Sequence, residues 1–177
     1  KERKFIIANI DDPQGNTFLN TNVPGKFPFS LKNASPYLIK KDGLEFALGN
    51  RKVVSPLSGE FNLYNILAAV AFAHSQNIAE EIIIKALEKF SGLRGRVEKI
   101  TLSSSDTDFS KQNFSVIVDY AHTPDSLEKV YQVFQNTRLI CVLGNTGGGR
   151  DAWKRPVMGQ IADRYCDHII LTNEDPY

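Results

Sequence analysis

Between residues 114 and 172 short apolar runs alternate with amphipathic stretches, and this rhythm restricts the fold more than any other feature of the sequence. The runs at 114–118, 139–143 and 168–172 have the length and β-branched content of strands, and the intervening 124–134 and 156–165 carry apolar residues at helical spacing. Strands joined by a single helix cannot close as hairpins. They need right-handed crossovers and so build a parallel sheet. Thr123-Pro124-Asp125 is a strong helix start, with a hydroxyl cap, proline at the first helical position and an acid in the first turn. The expected class is α/β, and in such sheets ligands bind beyond the carboxyl ends of the strands, where loops and helix N-termini converge.

The first half follows a different plan. Residues 5–10 are an apolar run stopped by Asp11-Asp12-Pro13 and predict a short strand; 14–29, rich in Gly, Pro and Asn, predict a loop. Three short β runs at 37–40, 44–48 and 52–55, separated by Lys41-Asp42-Gly43 and Gly49-Asn50, predict an antiparallel meander. Leu63, Ile66, Leu67 and Val70 lie on one face of a helix over 62–76, with His74 on the same stripe as a structural residue. Asn77 and Glu80 have capping-box spacing for a second helix whose stripe is Ile83, Leu87 and Phe90, ended by Ser91-Gly92. Arg94-Gly95-Arg96 then leads into a strand at 97–102, and 103–112 is a polar loop. A domain boundary near Gly95 gives segments 1–95 and 96–177, with no internal repeat.

Composition excludes several function classes. Lys+Arg 21 against Asp+Glu 20 leave a net charge of +1, far from the basic surface of a nucleic-acid binder, and 42% hydrophobic residues suffice for a core. No apolar run approaches the roughly 18 residues of a membrane helix, and no leader resembles a secretion signal, so the expectation is a cytoplasmic protein without membrane insertion. Cys141, Cys166, Tyr64 and Trp153 read as packing residues, and the three histidines are spread too widely to form a metal site. The chain starts at Lys1 without a methionine and stops at Tyr177 directly after a strand and turn, which suggests a segment of something longer.

The unusual polar residues fall at the three strand ends of the last third. These are Asp119-Tyr120-Ala121-His122, then Gly147-Gly148-Gly149-Arg150-Asp151, then Asn173-Glu174-Asp175-Pro176-Tyr177. The glycine stretch lacks the Lys-Ser/Thr partner of a phosphate-cradling loop and the spacing of a dinucleotide fingerprint. Arg150, Lys154 and Arg155 beside exposed backbone donors suit a carboxylate or phosphate, or else form a solvated basic turn. Asp119 can accept from ribose hydroxyls or cap a turn, and His122 can meet a phosphate or base or sit satisfied in the interior. Asn62 and Asn65, spaced i and i+3, can reach a base edge or cap their helix. No serine or cysteine has the setting of a nucleophile.

Taken in order, these motifs resemble the Mur ligases, in the wording of the MurE type. The resemblance rests on Asp119-Tyr120-Ala121-His122-Thr123-Pro124, Gly147-Gly148-Gly149-Arg150-Asp151 with Lys154-Arg155-Pro156 and Met158-Gly159, and upstream Asn9-Ile10-Asp11-Asp12-Pro13, Pro56-Leu57-Ser58-Gly59 through Asn62 and Asn65, and Gly95-Arg96-Val97-Glu98. It implies that 1–95 is the end of a central ATP-binding α/β domain with a small meander. It implies that 96–177 begins a Rossmann-like C-terminal domain. The activity implied is an ATP- and Mg2+-dependent ligase of peptidoglycan synthesis, and so of cell-wall biogenesis, cell shape and division. Such a ligase adds a third amino acid, of the diaminopimelate or lysine type, to UDP-N-acetylmuramoyl-L-alanyl-D-glutamate through an acyl phosphate. By position, Asn62 and Asn65 would approach adenine, Arg96 the ATP phosphates and Asp119 the ribose, with His122 lining the nucleotide site. Arg150, Lys154, Glu174, Asp175 and Tyr177 would hold the amino acid.

The family's Gly-Lys-Thr phosphate loop, modified lysine and UDP-binding domain lie upstream of the motifs present, so the resemblance assigns no catalytic residue or metal ligand to this chain and implies an inactive fragment. Its partners would be the two small-molecule substrates, without nucleic acid, in a monomer. Diaminopimelate-adding members carry Asp-Asn-Pro-Arg where this chain has Glu174-Asp175-Pro176-Tyr177, so a phenol replaces the arginine that would grip the second carboxylate. A related folylpolyglutamate- or cyanophycin-type ligase and a non-catalytic nucleotide-binding module are the alternatives.

Overall fold

The first apolar run folds as β1 (Phe5–Asn9), but the Gly-, Pro- and Asn-rich stretch after it is not one loop. It contains α1 (Gly15–Leu19) and β2 (Gly25–Phe29), which pairs parallel to β1 from Phe5↔Gly25 to Asn9↔Phe29. Composition hid an alternation: Phe27 and Phe29 are half-buried while Lys26 and Pro28 face out, and proline is tolerated on an edge strand. The computed structural model describes residues 4–100, 113–144 and 151–173, and it divides into two units, Lys1–Ser91 and Gly92–Tyr177.

In the first unit β3 (Tyr37–Lys40), β4 (Gly43–Leu48) and β5 (Arg51–Ser55) form the expected antiparallel meander. The β4–β5 turn needs Gly49, whose φ of +56° suits the first central position of a primed turn. Alternation along β4 turns Leu44, Phe46 and Leu48 inward and Glu45 outward. The inward face packs with Val53 against Leu63, Ile66, Leu67 and Val70 of α2 (Glu60–Ser75) and Ile83 and Ile84 of α3 (Glu80–Lys89). Burial on this scale contributes roughly 2 kcal/mol for each large side chain.

Two expectations here are corrected. Asn77 does not begin α3; at φ +57° it ends α2, its amide reaching His74 O at 3.0 Å while the Ile78 amide reaches Ala73 O at 3.0 Å. This is a Schellman closure, in which asparagine takes the left-handed position that glycine usually fills. His74 is exposed although eleven residues at 100° per residue bring it back to within about 20° of Leu63, because it lies in the last turn of α2, past the buried stretch of that stripe.

In the second unit β6 (Glu98–Ile100) pairs antiparallel with β7 (Val116–Val118). α4 (Pro124–Val133) starts as its sequence demands: Thr123 caps it, with reciprocal side-chain bonds to Ser126. β8 (Ile140–Leu143), α5 (Lys154–Tyr165) and β9 (His168–Leu171) form the β-α-β crossover, with the strands parallel from Ile140↔His168 to Leu143↔Leu171. Among the described residues β7 is hydrogen-bonded to β6 and not to β8. Leu127, Met158 and Ile161 form the small core between α4 and α5. Cys141 and Cys166, expected as separate packing residues, are joined in a disulfide, because the end of α5 returns beside the middle of β8. Trp153, also expected to pack, is 65% exposed. Among the described residues no helix is long and apolar enough to cross a membrane.

Candidate functional site

The polar residues of the first unit gather at the N-terminus of α2. Gly59, at φ +90°, turns the chain into the helix without a side-chain cap. Asn62 Nδ2 donates to Ser58 O at 2.8 Å, and Asn65 Nδ2 donates to Asn62 Oδ1 at 3.2 Å. Asn62 is thus tied to the backbone ahead of the helix but does not cap it, since its amide donates to a carbonyl and Gly59 holds the cap position. The exposed Asn65 keeps its carbonyl oxygen and one N–H, a donor–acceptor pair that matches an adenine edge.

Behind this helix Asp11 fastens the end of β1. Its Oδ2 accepts the Leu31 amide at 2.8 Å and the Tyr64 hydroxyl at 3.2 Å. Burial of Tyr64, followed by the negative charge of Asp11 and the bond to it, pushes the phenol up to about 12. Tyr64, expected only to pack, is therefore a polar tie between α2 and β1.

In the second unit Asp119 lies just past the end of β7, half-buried, with both carboxylate oxygens engaged. Oδ2 accepts from Val97 N at 2.8 Å and Oδ1 from Ala121 N at 2.7 Å. The Tyr120 amide reaches Gly95 O at 2.9 Å, so the 95–97 turn and the 119–121 turn are held together. Each carboxylate oxygen still has lone-pair capacity for a hydroxyl donor. Of the two readings of Asp119, the described contacts are those of a turn anchor.

Arg96 lies with its Cζ 4.9 Å from the Tyr120 ring centroid, and the His122 ring centroid is 4.9 Å from that of Tyr120 at 50°. His122 Nδ1 lies 2.9 Å from Tyr120 O; a carbonyl only accepts, so Nδ1 carries the proton and Nε2 is left as an acceptor. His122 is exposed, not interior. The structure thus brings Arg96, Asp119 and His122 together and leaves Asn62 and Asn65 as a separate pair in the other unit. Tyr120 is the member that residue-type reasoning passed over. Its signal was its place between Asp119 and His122, where a ring can stack on its neighbours. The outcome is a small exposed platform whose guanidinium, resting on the Tyr120 ring, suits anionic oxygens and whose free imidazole nitrogen accepts from a hydroxyl.

Lys154 opens α5 and is buried. Arg150, Glu174, Asp175 and Tyr177 lie outside the described residues. Among the described residues no three His, Cys, Asp or Glu side chains converge in a way that would hold a metal ion.

Residues 95–177 match the family described as Mur ligase, glutamate ligase domain. The chain is 36% identical over 187 residues to the UDP-N-acetylmuramoyl-L-alanyl-D-glutamate--2,6-diaminopimelate ligase of Oceanobacillus iheyensis, covering 99% of this chain and 36% of that protein. It is 38% identical over 189 residues to the protein of the same description from Syntrophomonas wolfei, covering 99% of this chain and 37% of that one. Among solved structures, MurF from Acinetobacter baumannii matches with a TM-score of 0.76 at 23% identity, covering 97% of this chain and 39% of that one, a likeness of fold. The chain therefore spans little more than a third of the length of these relatives.

Proposed function

The chain belongs to the Mur ligase family, and from that premise we propose that it supplies the adenine-facing and amino-acid-facing parts of an ATP-dependent ligase of the MurE type. In this reading 1–95 ends the central ATP-binding domain and 96–177 begins the C-terminal domain. The enzyme works in the cytoplasm and joins a third amino acid to UDP-N-acetylmuramoyl-L-alanyl-D-glutamate. The single observation that carries the reading is the anchored platform of Arg96, Tyr120 and His122 beside Asp119.

The chemistry is the one that the family resemblance implies. A substrate carboxylate oxygen attacks the terminal phosphorus of ATP, ADP leaves, and an acyl phosphate forms. The amine of the incoming amino acid then adds to its carbonyl carbon, and the tetrahedral intermediate expels phosphate as the nitrogen loses its proton. Asn65 offers adenine a donor and an acceptor, and Asp119 offers the ribose its spare lone pairs. Arg96, already oriented by Tyr120, meets phosphate oxygens at little further entropic cost. Nε2 of His122, an acceptor when Nδ1 carries the proton, suits a hydroxyl donor of the nucleotide. Arg150, Lys154, Glu174, Asp175 and Tyr177 would hold the amino acid, cations to its carboxylate and acids to a distal amine. Magnesium, typical of the family, is assigned no ligand among the described residues.

The test is a mass-spectrometric product assay on the full parent reading frame, offered UDP-muramyl dipeptide, Mg-ATP and either diaminopimelate or lysine. A tripeptide product is expected, and the amino acid taken identifies what Tyr177 accommodates. No product from a folded, ATP-binding parent would overturn the reading.

A further inference from the structure

The buried stripe of α5 is Lys154, Met158, Ile161 and Ala162, spaced i, i+4, i+7 and i+8, so an ammonium occupies a position that the pattern gives to an apolar side chain. Lys154 is 7% exposed, and among the described residues no carboxylate, hydroxyl or carbonyl pairs with its Nζ. Taking a cation out of water without a partner is among the costliest arrangements a fold can hold. The place worsens it: Lys154 is the first residue of α5, at the positive end of the helix dipole, and the first turn of α5 contains no acid. A methionine would fill the same volume without the charge. In a parallel β-α-β unit the helix N-terminus lies on the side of the carboxyl strand ends, where substrates enter.

We propose that Lys154 is the receptor for an oxyanion that a substrate brings in, and that the fold carries this interior cation unpaired until it arrives. The proposal rests on the ligase reading for the source of the oxyanion, which is either the carboxylate of the incoming amino acid or a phosphoryl oxygen. It adds to that reading a specific consequence: Lys154 is kept at the expense of stability.

That consequence is measurable without turnover. Lys154→Met keeps the stem and removes the charge, and Lys154→Arg keeps a charge as a second variant. Thermal unfolding of the 177-residue chain is followed at fixed ionic strength with inorganic phosphate, with diaminopimelate and with lysine. Lys154→Met is expected to melt higher than the parent. Anions should raise the midpoint of the parent and of Lys154→Arg, with apparent affinity weakened about tenfold or more in Lys154→Met, the loss of one charge-assisted bond. A response to phosphate alone identifies the phosphoryl source, and a response to the amino acids alone identifies the carboxylate. A Lys154→Met chain that melts lower, or that responds to anions as the parent does, or a parent indifferent to all three probes, overturns the proposal. Failure of the product assay with these results intact would remove the ligase reading and leave the oxyanion site standing.

Discussion

The Asp119 carboxylate accepts the Val97 amide at 2.8 Å, and Val97 sits at φ +50°, a left-handed conformation that a β-branched residue rarely adopts. The strain, about 1 kcal/mol, is held by that bond and falls next to Arg96. Because the second oxygen of Asp119 also accepts the Ala121 amide, Asp119→Ala removes two charge-assisted bonds at once. It should destabilise the second unit by about 2 kcal/mol in chemical denaturation. Adding Val97→Gly should return about 1 kcal/mol of this, since glycine adopts that conformation freely. If the double variant is no more stable than Asp119→Ala, the strain argument fails.

Tyr120 is the surface on which Arg96 and His122 rest, so its loss should be felt by both without altering either. In the intact enzyme Tyr120→Leu is expected to lower kcat/KM for ATP about tenfold, the worth of one oriented cation–ring contact. KM for the amino acid should stay unchanged. Steady-state kinetics with each substrate varied in turn would separate the two, and an equal rise in both KM values would mean that the ring serves only to hold the domain together.

Local signals were legible where a single segment decided the outcome. Thr123-Pro124 started a helix, Gly49-Asn50 turned a hairpin, and Leu63, Ile66 and Leu67 found the core, because spacing or turn chemistry alone selects these. What stayed hidden depends on two distant segments meeting. β2 is a strand because β1 supplies its ladder, and its Gly25 and Pro28 spoke against that. The Asp119 and Lys154 readings diverged for the same reason. Whether a carboxylate anchors a turn is decided by where the Val97 amide lies, and whether a lysine is solvated is decided by what packs over it. The motif wording marked these residues as a site, and only the fold showed how each is held.

Glu45 gives the first unit an acid dependence. It lies on the outer face of the meander, paired with Lys40 on one side and with Lys52 at 2.7 Å on the other. Hydrogen bonds from Lys40 and then Lys52 hold its carboxyl down at about 2, from an ordinary 4.5. A depressed carboxylate stabilises the fold above its unfolded value and loses that contribution as pH falls, so the loss should run from about 4.5 down to about 2. Glu45→Gln should flatten the stability–pH curve in that window. Because the triad faces water, added salt should flatten it as well, whereas a curve indifferent to salt would point to a different carboxyl group.

The Cys141–Cys166 bridge confines its effect to one unit, since both cysteines of the chain lie after Ser91. It spans a sequence separation of 25 and so encloses the crossover that carries α5 from β8 towards β9. Closing a loop of that length removes conformational freedom from the unfolded chain worth about 3 kcal/mol. A reductant should therefore lower the denaturation midpoint of the second unit and leave the first unit unmoved, which serves as an internal control. Cys141 is 7% exposed, so alkylation of the reduced, folded protein should modify Cys166 first. In the Cys141→Ala/Cys166→Ala double variant the second unit should unfold at the reduced midpoint whether or not reductant is present. If the midpoint of the parent is equally insensitive, while thiol counting shows two free cysteines throughout, the two sulfurs are neighbours in the fold without being bonded.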